Sequence, residues 1–254
     1  LECGAGMGLV TRQLLPKLVE VSDRIVYFFT DLGKSFVQNA AKTFAEYPFL
    51  RYHVFDITKD TTTQGLPDRF DFIVSYNVIH TTESVVASLS NLKTSLAPGG
   101  YLYVIESTKN ETWATLAWGV LDGWWYFKDT HLRPHEPMLE YNKWLEVLGQ
   151  QEFTTLMCPT NPDEQRHVEK FLFINRRPPT SRTKEDDPSQ TAPLVGWWEI
   201  GGGKLVLPAA QKNNERAPQT LSLQFQSETL LLPGIISEMR NIWTNLLGTS
   251  GFTN

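Results

Sequence analysis

Residues 1–8 read Leu1-Glu2-Cys3-Gly4-Ala5-Gly6-Met7-Gly8, with glycine at three alternate positions. Leu1-Glu2-Cys3 has the character of a strand end, and apolar residues resume at helical spacing from Leu9. Glycines 4, 6 and 8 allow a tight turn and a close approach of backbone to a ligand, and a helix beginning near Leu9 offers its amino-terminal dipole there. The spacing discriminates among nucleotide loops. A dinucleotide fingerprint starting at Gly4 needs Gly or Ala at position 9, which is Leu9.

Working outward, short β-branched or aromatic runs alternate with longer amphipathic stretches through residue 177. Strands are predicted at Arg24 to Thr30, Leu50 to Phe55, Phe70 to Tyr76 and Tyr101 to Glu106. Helices are predicted at Leu9 to Glu20, Ser35 to Tyr47 and Ser84 to Leu96, with a turn forced at Ala97-Pro98-Gly99-Gly100. Helical segments from about Trp113 and from Met138 to Gly149 follow, then an antiparallel strand pair, Glu152 to Pro159 with Glu169 to Asn175. This alternation predicts an α/β, doubly wound, Rossmann-like domain over residues 1–177. Residues 178–193 carry four prolines and no Leu, Ile, Val or aromatic side chain, the composition of a linker. Residues 194–254 are expected to begin a second α/β unit.

The chain has 254 residues, a hydrophobic fraction of 41% and a net charge of −5 without any basic run. Those values describe a globular domain and exclude a dedicated nucleic-acid binder. No stretch approaches the about 18 consecutive apolar residues of a membrane helix. Two cysteines, Cys3 and Cys158, cannot build a disulfide framework or a CxxC metal site, which suits a reducing compartment, and the expected location is cytoplasmic. Because the sequence begins at Leu1 inside a strand-like stretch, it is expected to be a fragment.

The acidic residue two positions before the first glycine makes the pattern Glu2-x-Gly4-x-Gly6-x-Gly8, which is that of doubly wound S-adenosylmethionine enzymes. There is no pyrophosphate to cradle, and Glu2 is expected to face the cation side. Three further polar residues follow strand ends, at the sheet edge where ligands of this architecture bind. Asp31 can accept both ribose hydroxyls; Asp56 can accept from the adenine amino group with Ile57 packed on the ring; Asn77 can bond the amino-acid end of the cofactor. Each residue type also ends strands for turn-forming reasons. In sequence order they reinforce one another.

The strings LECGAGMG, YFFTD, FDITKDTTTQG, FDFIVSYNVIHTT, LAPGGYLYVIEST, GWW at Gly123 to Trp125 and the Arg133-Pro134…Trp144-Leu145…Leu148-Gly149 stretch resemble the C-methyltransferase domain of iterative, highly reducing polyketide synthases. Animal fatty-acid-synthase-like polyketide synthases carry a similar domain. The resemblance covers residues 1–175. It implies the class I methyltransferase fold, S-adenosylmethionine as donor, a β-ketoacyl chain on an acyl carrier protein as acceptor, and neighbouring synthase domains in one polypeptide. It also implies that His80 and Glu106 are the catalytic dyad, and, by position, that the unit at 194–254 is a structural, ketoreductase-like domain. Cys3 stands where the family usually has Ile or Val and Met7 where it usually has Thr; no glycine is lost. The helical lobe that precedes the first strand in the family is expected to be missing.

Two alternatives come from other classes: a non-catalytic scaffold domain of a synthase, and a free-standing O- or N-methyltransferase for small molecules. Other residues have plainer readings. His131 and His135 share the spacing of a metal pair, but Pro134 lies between them and no third ligand is near, so no metal site is expected. Trp113 reads as packing in a helical cap; Trp124 and Trp125 fit either a cap or an acyl tunnel. Cys158 reads as a small buried hydrophobe.

Overall fold

The computed structural model describes residues 1–109, 112–157, 170–179, 199–200 and 203–204. Its centre is a seven-stranded sheet in the order β3-β2-β1-β4-β5-β7-β6. The strands are β1 (Glu2–Cys3), β2 (Tyr27–Asp31), β3 (Leu50–Val54), β4 (Phe70–Tyr76), β5 (Leu96–Ser107), β6 (Thr154–Met157) and β7 (Lys170–Arg176). The first five run parallel, and β7 is antiparallel to both of its neighbours. The winding direction reverses between β1 and β4, whose residues pair as Glu2 with Val74 and Cys3 with Ser75. A crevice opens at the carboxyl ends of strands that diverge in this way.

The helices are α1 (Leu9–Leu18), α2 (Lys34–Thr43), α3 (Val85–Ser95), α4 (Thr112–Trp118) and α5 (Tyr141–Gln150). Apolar side chains alternate along the strands and feed a separate core on each face of the sheet. Leu102 and Val104 of β5 point to one face with Ile73, where Val85, Leu89 and Leu92 of α3 and Trp144, Val147 and Leu148 of α5 cover them. Tyr103 and Ile105 point to the other, with Phe29 and Val74, under Val10, Leu14 and Leu15 of α1 and Ala40 of α2. A strand buried on both faces reads as a near-continuous apolar run, as Leu102 to Ile105 does. The Ser84 hydroxyl caps α3, accepting from the amide of Ala87.

Two details differ from the sequence-based expectation. The second strand begins at Tyr27 rather than Arg24, because its first partner is Leu50 and nothing pairs upstream. Residues 97–100 do not leave the sheet. Leu96 pairs with Phe70 and Tyr101 with Phe72, so the Pro98-Gly99-Gly100 turn is taken up as an irregularity inside β5, with Gly99 at φ 79. The predicted final strand pair forms, and β7 inserts between β5 and β6. Cys158, the rest of the predicted linker after Pro179, and the predicted second unit apart from a two-residue ladder of Glu199–Ile200 with Gly203–Lys204 lie outside the described residues. No helix among the described residues is long and apolar enough to cross a membrane.

Candidate active site

The loop after β1 takes its shape from backbone that only glycine adopts easily. Gly4, Gly6 and Gly8 have φ of 60, 53 and 75. At Gly4 the constraint is also steric, since a Cβ there would lie 2.4 Å from Cγ2 of Val78. The turn places the amide of Gly6 2.8 Å from Oδ2 of Asp31, while the amide of Gly33 donates to Oδ1 at 2.7 Å. Each carboxylate oxygen of Asp31 is thus anchored once. A carboxylate offers about four lone-pair sites, so acceptor capacity remains for two hydroxyls.

Gly4, Asp31, Asp56, Ile57, Asn77 and His80 come together as lining of a single cavity of about 860 Å³ at the carboxyl edge of the sheet. Asp56 is built into its own turn: Oδ1 accepts from the amide and hydroxyl of Thr58, and Oδ2 pairs with Lys59 at 3.1 Å. Partial burial pushes its carboxyl up, but the Thr58 and Lys59 contacts outweigh that and leave it below the usual carboxylate range. Asn77 sits at φ 52, with Oδ1 accepting from the amide and hydroxyl of Ser107, which directs the amide nitrogen as the group able to donate.

Glu2, Gly6 and Gly8 do not line this cavity. Gly6 acts through Asp31. Glu2 was expected to face the cation side, but its carboxyl is buried under the sheet, where Oε2 accepts from the hydroxyls of Thr11 and Tyr27. Burial pushes its pKa up to about 7, against the lowering effect of those two hydroxyls. Its position in β1 accounts for this: Cys3 and Glu2 alternate across the sheet, and Glu2 takes the α1 side.

His80 lies in the short 3₁₀ turn Ile79–Thr81 that follows β4, and Glu106 lies near the end of the adjacent β5. Nδ1 of His80 is 2.5 Å from Oε2 of Glu106. The other carboxylate oxygen accepts from the amides of Val78 and Ile79 at 3.1 and 2.8 Å. Glu106 is fully buried and His80 nearly so. With Nδ1 engaged, the remaining ring nitrogen, Nε2, is the one available to a ligand in the cavity. A base oriented by a carboxylate beside a nucleotide-sized cavity can remove a proton.

Sequence reasoning assigned no role to Arg133, yet it is one of the largest fully buried side chains. Its Nε donates to Oδ1 of Asp129 at 2.5 Å, Nη1 to the carbonyls of His80 and Pro137, and Nη2 to that of Thr82 at 2.5 Å. The same cavity is also lined by Trp113, Trp118, Leu121, Trp124, Tyr126 and Met138. Trp113, expected only to pack, thus lines the cavity with Trp118 and Trp124, whereas Trp125 is not among its lining and donates Nε1 to the carbonyl of Gly119. His131 and His135 are exposed in a segment without helix, and among the described residues no three His, Cys, Asp or Glu converge in a way that could hold a metal.

Residues 1–102 match the family model described as a methyltransferase domain. The chain is 39% identical over 180 residues to 3-methylorcinaldehyde synthase of Sarocladium schorii, which covers 69% of this chain and 6% of that protein. It is 34% identical over 190 residues to the non-reducing polyketide synthase ausA of Emericella nidulans, covering 74% of this chain and 7% of that protein. Among solved structures it is similar to the CurJ carbon methyltransferase, with a TM-score of 0.65 and 35% identity over 70% of this chain and 47% of that one. It is also similar to the CMeT domain of the citrinin polyketide synthase, with a TM-score of 0.63 and 26% identity over 70% of this chain and 46% of that one. The trans-methyltransferase CalH, solved with SAH, has a TM-score of 0.61 and 26% identity over 69% of this chain and 50% of that one. The chain therefore spans less than a tenth of the curated relatives it matches and about half of the solved chains. The fold is the Rossmann-like fold of S-adenosylmethionine-dependent methyltransferases.

Proposed function

We propose that this chain methylates the α-carbon of a β-ketoacyl thioester, carried on an acyl carrier protein, as one domain of a polyketide synthase whose other domains lie on the same polypeptide. The carrying observation is His80, held at 2.5 Å by the buried Glu106, in the wall of the cavity that Gly4, Asp31 and Asn77 also line. A cofactor-only fold has no use for an oriented imidazole at that place. The names of two relatives, a polyketide synthase and a carbon methyltransferase, supply the reaction class. One relative is a non-reducing synthase, so the proposal is not tied to the highly reducing type implied by the motif resemblance. Cytoplasmic location is proposed on the cysteine usage alone.

The residues present fit S-adenosylmethionine. Gly4 brings backbone without a side chain into the cavity lining, Asp31 offers the anchored carboxylate for the ribose, Ile57 is apolar beside Asp56 for the adenine, and Asn77 has an amide donor for the amino-acid end. When bound, the cofactor supplies an electrophilic methyl group on a sulfonium, which departs as a neutral thioether. His80 then acts on the acceptor. Neutral Nε2 takes the proton from the carbon between the two carbonyls, the C–H electron pair becomes the enolate, and Glu106 stabilises the resulting imidazolium through Nδ1–H. The enolate α-carbon forms the new C–C bond. That step needs chiefly alignment, which the shared cavity supplies.

The test is incubation of the purified chain with methyl-labelled S-adenosylmethionine and a β-ketoacyl pantetheine thioester, followed by location of the label. Label on the α-carbon is expected. Label on oxygen or nitrogen would instead indicate the small-molecule enzyme, and calorimetry without cofactor heat would indicate a scaffold.

A further inference from the structure

We infer that Arg133 is a positioning residue for the base, and that the Arg133–Asp129 pair acts as a strut setting His80 against the acceptor wall of the cavity; this rests on the reading of His80 as the base. The guanidinium is buried and donates to three backbone carbonyls drawn from two segments. Those of His80 and Thr82 belong to the turn bearing the base, and that of Pro137 belongs to the wall, where Pro137 and Met138 line the cavity. Asp129 neutralises the charge through Oδ1 and uses Oδ2 to accept from the amide of Val85, the first residue of α3, at 2.8 Å. Residues 78–85 are consequently held from two sides. Glu106 binds the amides of Val78 and Ile79 on one side; Arg133 and Asp129 bind the carbonyls of His80 and Thr82 and the amide of Val85 on the other.

Stability alone is a poor account of such a pair. Buried ion pairs are often matched or bettered by apolar side chains of similar volume. An apolar side chain cannot, however, hold three carbonyls in the fixed fork of a guanidinium. The guanidinium carbon also lies over the Phe127 ring, 5.1 Å from its centroid, a cation–π contact. The property gained is the register of the His80 turn relative to the acceptor wall. Displacement of a reacting group by about 1 Å costs on the order of 10²-fold in rate. None of Gly4, Asp31, Asp56 or Asn77 bonds to Arg133, so cofactor affinity is not engaged.

The experiment compares the full chain with its Arg133→Met, Arg133→Lys and Asp129→Asn variants. Each is measured for thermal unfolding, S-adenosylmethionine affinity, turnover of the β-ketoacyl thioester, and the NMR resonance of the His80 Nδ1 proton. Arg133→Met is expected to keep cofactor affinity within about twofold, to lose on the order of 10²-fold in kcat, and to shift or broaden the His80 proton. Arg133→Lys keeps the charge but not the fork and is expected to restore less than a tenth of the lost rate. A folded Arg133→Met with kcat within twofold and an unmoved His80 resonance overturns the proposal. Should that variant fail to fold, Asp129→Asn decides. Its side chain cannot accept from both Arg133 and Val85, and a His80 resonance and kcat unchanged from wild type overturn the proposal. If the wild-type chain methylates nothing, the reaction assigned above fails. The His80 resonance alone then decides the strut: shifted in both variants supports it, unmoved overturns it.

Discussion

His80 and Glu106 meet across 2.5 Å, Nδ1 to Oε2, from the ends of two neighbouring parallel strands and 26 residues apart in sequence. The two oxygens of Glu106 divide the work. One orients the imidazole, and the other holds the two amides of the turn on which the imidazole sits. The same carboxylate therefore sets both the tautomer and the place of the ring.

Glu106→Gln separates these roles. The amide carbonyl can still accept from Val78 and Ile79, which turns an NH2 group toward Nδ1 and forces the proton onto Nε2. The base then presents a donor where an acceptor is needed. Turnover is expected to fall on the order of 10³- to 10⁴-fold while the melting temperature and cofactor affinity change little. A kcat within tenfold of wild type would remove Glu106 from the chemistry.

Asp31 is the only one of the cofactor-side carboxylates whose two oxygens are both anchored by loop amides, those of Gly6 and Gly33. Asp31→Ala loses the charge-assisted hydrogen bonds to the ribose, at about 1.5–3 kcal/mol each. With two such bonds lost, isothermal titration should show S-adenosylmethionine affinity reduced roughly 10²- to 10⁴-fold. Equal affinity would place the ribose elsewhere.

Gly4→Ala tests the close approach of the loop to Val78. The added methyl meets Cγ2 at 2.4 Å, and φ of 60 is strained for alanine. The combined cost is about 2–4 kcal/mol, read as a loss of stability in urea unfolding. Adding Val78→Ala should recover the steric part but not the backbone part. No recovery would mean that the contact with Val78 is not the cause.

Glu2 gives a pH signature. Burial raises its folded-state pKa from the ordinary 4.5 to about 7, so the folded chain holds a proton that the unfolded chain releases. The stabilisation is fully present below pH 4.5 and is lost as pH rises through about 7. At 1.36 kcal/mol per pKa unit it amounts to about 3 kcal/mol. The stability advantage of wild type over Glu2→Gln should shrink by about that amount across this window in denaturant titrations. Parallel pH profiles for the two proteins would contradict a titrating Glu2.

The sheet was legible because strands buried on both faces write themselves as apolar runs, and Phe70 to Tyr76 is bounded as the sequence predicts. The glycine loop, Asp31 and the neighbouring positions of His80 and Glu106 follow from strand ends in a known winding order. Glu2 was misread in direction because its partners, Thr11 and Tyr27, are polar groups on α1 and β2 that no local pattern announces. Arg133 was silent for a similar reason. Three of its partners are backbone carbonyls, two of them more than 50 residues away, and a carbonyl carries no sequence signal. The insertion of β7 between β5 and β6 is likewise a matter of pairing, which strand composition does not encode.

The most direct measurement pairs cofactor binding with methyl transfer in His80→Ala. The variant is expected to bind S-adenosylmethionine with wild-type affinity and to form no α-methylated thioester above the uncatalysed rate. Wild-type turnover by His80→Ala, with the methyl group on the α-carbon, would contradict the assignment of His80 as the base.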